Sequence, residues 1–240
     1  MVVAGPPAPR RRRHVNDALA RACDLVVVSP EYRLTPEVTI VDQIAESVGV
    51  AEWLGTNAAA EFGSDRLLIG GISAGGHLAA ATLLHLRAAG SPTIAKFIAA
   101  VLDSGAYDLG RTASANLAND QTLIVTGSWL TGFLDLGLPG YDVEQRRSPE
   151  VSPMLNELAG LPPALFTVGD LDPLRDDSIL MAQRWQLAGN HADLDVWPDA
   201  AHAFANMATP LGELALERTT SWMRSALDNA DLSEPALATS

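Results

Sequence analysis

The stretch Leu67-Leu68-Ile69-Gly70-Gly71-Ile72-Ser73-Ala74-Gly75-Gly76-His77 sets a serine between glycines two residues to either side. An apolar run precedes it and a helical pattern follows. That context suits a nucleophile. A tight strand-to-helix turn lifts the Ser73 hydroxyl above the sheet edge, and side chains at Gly71 or Gly75 would clash inside the turn. Gly76 extends the glycine cluster of this elbow. The turn also sets Ser73 at a helix N-terminus, where the partial positive charge and the Ala74 N–H favour a developing oxyanion. A serine hydroxyl is a weak nucleophile without a base, and the base needs an orienting acid. For a strand–elbow–helix of this kind the chain order is Ser, then Asp or Glu, then His.

After Ser73 the histidines are His77, His85, His191 and His202. His77 and His85 sit on the helix leaving the turn and cannot fold back onto Ser73. His191 precedes the last predicted strand, at its wrong end. His202 follows that strand, where open α/β sheets place their chemistry, so it is the expected base. The acid is expected after the preceding strand, in Gly169-Asp170-Leu171-Asp172-Pro173-Leu174-Arg175-Asp176-Asp177. Asp172 stands before Pro173, which fixes an extended conformation. Asp170, Asp176 and Asp177 read as helix-capping or solvated charges. Position favours Asp172 without deciding it.

These residues need a sheet to hold them, and the pattern supplies one. Short apolar runs alternate with amphipathic stretches, which predicts βαβ units and a mostly parallel sheet with helices on both faces. Strands are predicted at 25–29, 67–71, 97–102, 164–168 and 193–197, and helices at 41–60, 77–89, 177–188 and 211–227. Residues 1–14 read as an arm and residues 228–240 as a disordered tail. Between Tyr107 and Pro163 the alternation breaks, and Trp129, Phe133, Leu134, Leu136 and Leu138 form an apolar cluster. A long insertion in a compact domain is usually functional, and here a lid lining a substrate pocket is expected.

The 240 residues, 48% of them apolar, suit one domain around one core. Sixteen Lys and Arg stand against 29 Asp and Glu, for a net charge of −13. Such a surface repels nucleic acid and anionic membranes. The single cysteine, Cys23, reads as a small buried hydrophobe. Arg10 to Arg13 are followed by polar residues rather than an apolar h-region, so they read as a solvated or disordered arm and not a signal peptide. No apolar stretch is long enough for a membrane span, and a cytoplasmic protein is expected. No cluster has metal-ligand spacing, so no cofactor is expected.

Glu31-Tyr32-Arg33-Leu34-Thr35-Pro36-Glu37, Gly71-Ile72-Ser73-Ala74-Gly75-Gly76, Asp172-Pro173-Leu174-Arg175-Asp176 and His202-Ala203-Phe204 occur in one order. Together they resemble the hormone-sensitive-lipase-like family of bacterial carboxylesterases, over about residues 14–227. The resemblance implies an α/β-hydrolase fold and Asp172 as the triad acid. It further implies an Arg33–Glu37 ion pair that anchors the Tyr-Arg-Leu loop, and hydrolysis of short-chain carboxylic esters through an acyl-enzyme. Family members often dimerise through the last strand and helix, so a homodimer is a possible state. An amidase or formamidase on the same triad is the alternative chemistry, and a catalytically weak small-molecule-binding protein is the alternative class. Two departures stand out. Ile72 replaces the family's Asp and Ala203 its Gly. The family's His-Gly-Gly-Gly loop, which supplies the other oxyanion donors, has no counterpart before Tyr32, where Gly5-Pro6-Pro7 is the nearest glycine. The N-terminal strands and cap helices are likewise expected to be lacking, with Val2-Val3 as a remnant of the strand ending at that loop.

Overall fold

The computed structural model describes residues 2–4 and 10–233, with side chains placed from 15 to 230. In chain order the elements are β1 (Val2–Ala4), α1 (Arg10–Cys23), α2 (Ile40–Phe62), β2 (Leu67–Ile72), α3 (Ala74–Ala88), β3 (Phe97–Asp103), α4 (Ala113–Leu117), α5 (Gly127–Gly137), α6 (Val143–Arg146), β4 (Ala164–Gly169), α7 (Arg175–Leu187), β5 (Ala192–Trp197) and α8 (Pro210–Ser233). The five strands form one parallel sheet in the order β1-β2-β3-β4-β5. Each crossover carries a helix, so both faces are covered and the central strands are buried along their length.

One face of the sheet packs on α2, α3 and α7. Leu54 and Ala58, Leu83 and Leu86, and Trp185 meet Ile69, Leu102 and Phe166 there. On the other face α1 and α8 bring Leu19, Trp222 and Met223 against Leu68, Val101 and Leu165. Alternate residues of each strand therefore feed opposite cores, as the pleat requires. The helix α2 starts at a capping box, in which Thr39 and Asp42 satisfy each other's backbone N–H, and it stops at Gly63, whose φ of +79° only glycine adopts without strain. Cys23 is buried, as expected.

Four expectations are corrected. Residues 25–29 do not form a strand, and only Val28 is bridged. A strand there needs a partner of matching length. The expected partner, β1, has three residues, although it does pair with β2 at Ile69–Gly71. Arg10 to Arg13 open the helix α1 and are not an irregular arm. Helical order likewise runs on to Ser233, where a disordered tail is expected from 228, and residues 234–240 lie outside those described. Arg33 pairs with Glu46 of α2 rather than Glu37. Both its side chain and its backbone N–H donate to that carboxylate, the latter over 2.9 Å. Glu46 is the better partner because one oxygen pair takes both donors in a single geometry.

Candidate active site

Each of the three expected side chains follows a strand's carboxyl end, Ser73 after β2, Asp172 after β4 and His202 after β5. Ser73 follows β2 in a strained conformation, φ 58° and ψ −120°. The strain is held by two bonds. Its N–H donates to the Asp103 carbonyl over 2.9 Å, and its carbonyl accepts from His77 N–H over 3.1 Å. A Cβ on Gly71 would lie 2.3 Å from the Gly75 carbonyl, which is why the sequence has no side chain there. A Cβ on Gly76 would press on Gly105 at 3.1 Å. Ala74 is the first residue of α3 and lines the cleft beside Ser73.

The structure brings the three expected residues into one line. His202 Nε2 is 2.9 Å from Ser73 Oγ. His202 Nδ1 is 3.0 Å from both oxygens of Asp172. A carboxylate only accepts, so Nδ1 carries the proton and Nε2 is left to accept from the serine hydroxyl. Asp172 and His202 are 2% and 4% exposed, which keeps water from competing for the pair. The Asp172 loop is a closed turn. Leu174 N–H donates to Asp172 Oδ1 over 2.8 Å, and Asp172 N–H donates to the Gly169 carbonyl over 3.2 Å. Beyond His202, Ala203 has φ 57°, in the left-handed region where the family's glycine would be unstrained.

A second carboxyl stands behind the elbow. Asp103, at the end of β3, is 6% exposed and its Oδ1 has no partner. Burial pushes it up to about 7, against the pull of the Ser104 hydroxyl and the attraction of His202. It was not singled out in the sequence, where it reads only as the last residue of an apolar strand.

The insertion lines the site. An apolar cleft leads to Ser73 between Ala74, Leu78, Trp129, Phe133, Leu134 and Leu174, with Asp108 and Arg111 in its wall. Trp129 and Phe133 stack with centroids 5.4 Å apart. Of the expected apolar cluster, Leu138 is instead buried in the core and Leu136 is exposed. His77 does not reach the serine. It is buried, burial holds it down to about 4, and its ring bonds the Val151 carbonyl over 2.7 Å. His85 bonds the Ala81 carbonyl of its own helix, and His191 lies 3.7 Å from Asp193.

Asp177 corrects an expectation. It is buried at 1% exposure rather than solvated, and it accepts from the N–H groups of Tyr107 and Asp108 and from the Thr112 hydroxyl. Burial pushes its carboxyl up to about 7 even against those three donors. The signal was present in the spacing. Asp177 precedes Met181 and Trp185 at helical intervals, which puts it on the buried face of α7. Asp176 also binds the insertion, accepting from Ser114 N–H over 2.9 Å. The expectation that the family's glycine loop has no counterpart before Tyr32 bears on Gly5 to Pro7, which lie outside the described residues. Among the described residues no helix is long and apolar enough to cross a membrane, and no group of His, Cys, Asp and Glu could hold a metal.

Residues 3–206 match the family described as the alpha/beta hydrolase fold. The chain belongs to this family. Among α/β-hydrolases it is similar to an acetyl-hydrolase of Streptomyces hygroscopicus, 30% identical over 91% of this chain and 71% of that protein. It is similar also to carboxylesterase NlhH of Mycobacterium tuberculosis, 31% identical over 80% of this chain and 62% of that protein. The chain thus spans about 62% of the length of NlhH. The hyperthermophilic esterase of Pyrobaculum calidifontis superimposes on this α/β-hydrolase with a TM-score of 0.84, at 27% identity over 93% of this chain and 75% of that one. A hormone-sensitive lipase from a metagenome library gives 0.83 at 28% identity over 94% and 75%. These relatives set the chain in the hormone-sensitive-lipase-like branch of the family.

Proposed function

We propose that the protein is a serine carboxylesterase that cleaves short-chain esters through an acyl-enzyme. The observation that carries this reading is the unbroken line of hydrogen bonds from Ser73 Oγ through His202 to Asp172, opening on an apolar cleft. In the first half-reaction Ser73 Oγ attacks the ester carbonyl while His202 Nε2 takes the hydroxyl proton. The tetrahedral oxyanion is met by the Ala74 N–H at the start of α3. His202 then returns the proton to the alkoxide, which leaves as the alcohol, and Ser73 remains acylated. In the second half-reaction a water gives its proton to His202 and attacks the acyl carbon; the carboxylic acid leaves as His202 returns that proton to Ser73 Oγ. Throughout, Asp172 holds the Nδ1–H tautomer and stabilises the imidazolium.

The size of the cleft supports short substrates. It is tight, its apolar side chains leaving little room for the centre of a water-sized group. The test is hydrolysis of p-nitrophenyl acetate and butyrate by the wild type and by Ser73→Ala, together with labelling by a fluorophosphonate probe. The wild type is expected to turn over both esters and to be labelled at Ser73. Equal rates for the two proteins, or labelling elsewhere, would refute the assignment.

A further inference from the structure

The cleft holds a cation without a counter-ion. Arg111 lies in its wall, on a backbone with φ 75°, a conformation that costs a residue with a Cβ on the order of 1 kcal/mol. Its guanidinium uses few of its donors. One Nη donates to Thr131 Oγ1 over 3.2 Å and the other to the Ala115 carbonyl over 2.6 Å. Nε is buried without any partner. Both bonds go to neutral acceptors, and among the described residues no carboxylate forms an ion pair with it. A guanidinium cannot shed its charge to suit an apolar wall, because it stays protonated throughout the ordinary pH range.

The other charges around the cleft do not answer it. Among the described residues Asp108 is the one carboxylate in the wall, and Arg147 holds it from behind at 2.9 Å. His77, also in the wall, is neutral, since burial holds it down to about 4. The Asp108 charge is thus already matched by Arg147, Asp177 behind it is taken up by Tyr107, Asp108 and Thr112, and Arg111 is left with neutral acceptors. A partly buried positive charge in an apolar cleft is a binding determinant for an anion, and the anion that fits a planar fork is a carboxylate.

We propose that Arg111 selects esters that carry a carboxylate a few atoms from the scissile carbonyl. These are half-esters of short dicarboxylic acids, or short acyl esters of hydroxy acids. The proposal rests on Ser73 being the nucleophile of this same cleft, and it deepens that reading by naming the charge of the substrate. A carboxylate and a carbonyl separated by one or two methylenes suit a tight cleft that has Ser73 and Arg111 in the same lining. The apolar residues Trp129, Phe133 and Leu134 cover the methylenes, and the charge meets Arg111.

The experiment compares matched pairs by pH-stat titration with the full chain. Monomethyl succinate against dimethyl succinate puts the charge on the acyl side. O-Acetylglycolate against its methyl ester puts it on the alcohol side. On at least one arm the wild type is expected to show a higher kcat/KM for the charged member. In Arg111→Met that charged-to-neutral ratio is expected to fall about 10- to 100-fold, the range for a lost charged hydrogen bond. Arg111→Lys, which keeps the charge, should restore part of it. A ratio below one on both arms in the wild type, or a ratio that Arg111→Met does not change, overturns the proposal.

A binding measurement separates this idea from the esterase reading. In Ser73→Ala, the charged ester preferred by the wild type should raise Tm and its neutral partner should not. When the wild type turns over no ester, both charged esters are tried. A carboxylate-dependent Tm shift would then support Arg111 and sink the hydrolase, whereas the absence of any such shift in Ser73→Ala overturns the role of Arg111.

Discussion

Replacing Asp172 by asparagine keeps the shape of the side chain and removes its charge. The structure says how the new side chain must orient. Oδ1 accepts from Leu174 N–H at 2.8 Å, so the amide oxygen stays at that position to preserve the turn. The amide NH2 then falls at the Oδ2 position, 3.0 Å from His202 Nδ1. Nδ1 lies equally 3.0 Å from Oδ1, but that oxygen has lost its charge and is already taken by Leu174 N–H, so the NH2 at the other position favours the tautomer in which Nδ1 is the acceptor. The proton moves to Nε2, which now points a donor at Ser73 Oγ and cannot take the hydroxyl proton. The wrong tautomer costs a triad about 10⁴ in kcat, or about 5.5 kcal/mol of transition-state stabilisation. The fold loses little, because the turn bond survives and no cavity opens. The assay is kcat for p-nitrophenyl acetate alongside thermal unfolding followed by circular dichroism. An Asp172→Asn protein that melts with the wild type and keeps more than about a tenth of its kcat would show that the Asp172–His202 bond does not set the tautomer used in catalysis.

Three further outcomes follow from other parts of the site. Gly71→Ala places a Cβ 2.3 Å from the Gly75 carbonyl, so the elbow must move. Overpacking of this kind costs about 1–3 kcal/mol, a drop of about 2–12 °C in Tm, and the displaced nucleophile should cost about 10² in kcat; a wild-type Tm and rate would contradict the packing argument. Asp103 is an acid whose buried carboxyl is raised from 3.8 to about 7, so between those values the folded state holds a proton that the unfolded state has lost. Its contribution is present below the lower value and fades as pH rises toward the upper one. The Tm of Asp103→Asn minus that of the wild type should therefore grow from pH 4 to pH 7, and a flat or falling difference in a pH series of melts would show that Asp103 ionises normally. Trp129→Ala removes one wall of the cleft, half of it already open to solvent. The ratio of kcat/KM for p-nitrophenyl octanoate to that for the acetate should rise several-fold, and a fall would mean that Trp129 grips the longer chain.

Ser73 and His202 are legible in the sequence through local rules. A nucleophile turn is fixed by its own glycines, and a base at the end of the last strand is fixed by the direction of a parallel sheet. Asp172 was harder. Four carboxylates share its loop, and what separates them is which one faces His202, a tertiary fact. Asp177 shows the cost of reading locally. An acid in the first turn of a helix suits the helix dipole, so nothing in its immediate sequence betrays that its partners lie some 70 residues away at Tyr107, Asp108 and Thr112. Arg33 and Glu46 are a similar case, because the nearer Glu37 offers equal chemistry and only the docking of α2 decides. Residues 25–29 carry the composition of a strand, yet a strand is a property of two segments, and their own sequence says nothing of the partner. Arg111 was invisible for a related reason: its interest lies in the carboxylate that is not beside it.

The insertion is fastened at its two ends. Asp177 grips its beginning at Tyr107, Asp108 and Thr112. At the far end His77 of α3 bonds Val151, and Ser152 ties that end back to Leu109 and Arg146 within the insertion. None of these anchors involves α5, the helix that carries Trp129, Phe133 and Leu134 into the cleft. The cleft wall that α5 supplies is thus a panel hung between posts on α7 and α3. Changes on that panel can alter which ester fits while the posts, and the nucleophile turn beneath them, stay where they are. Substrate choice can then drift over generations without reopening the problem of folding the triad.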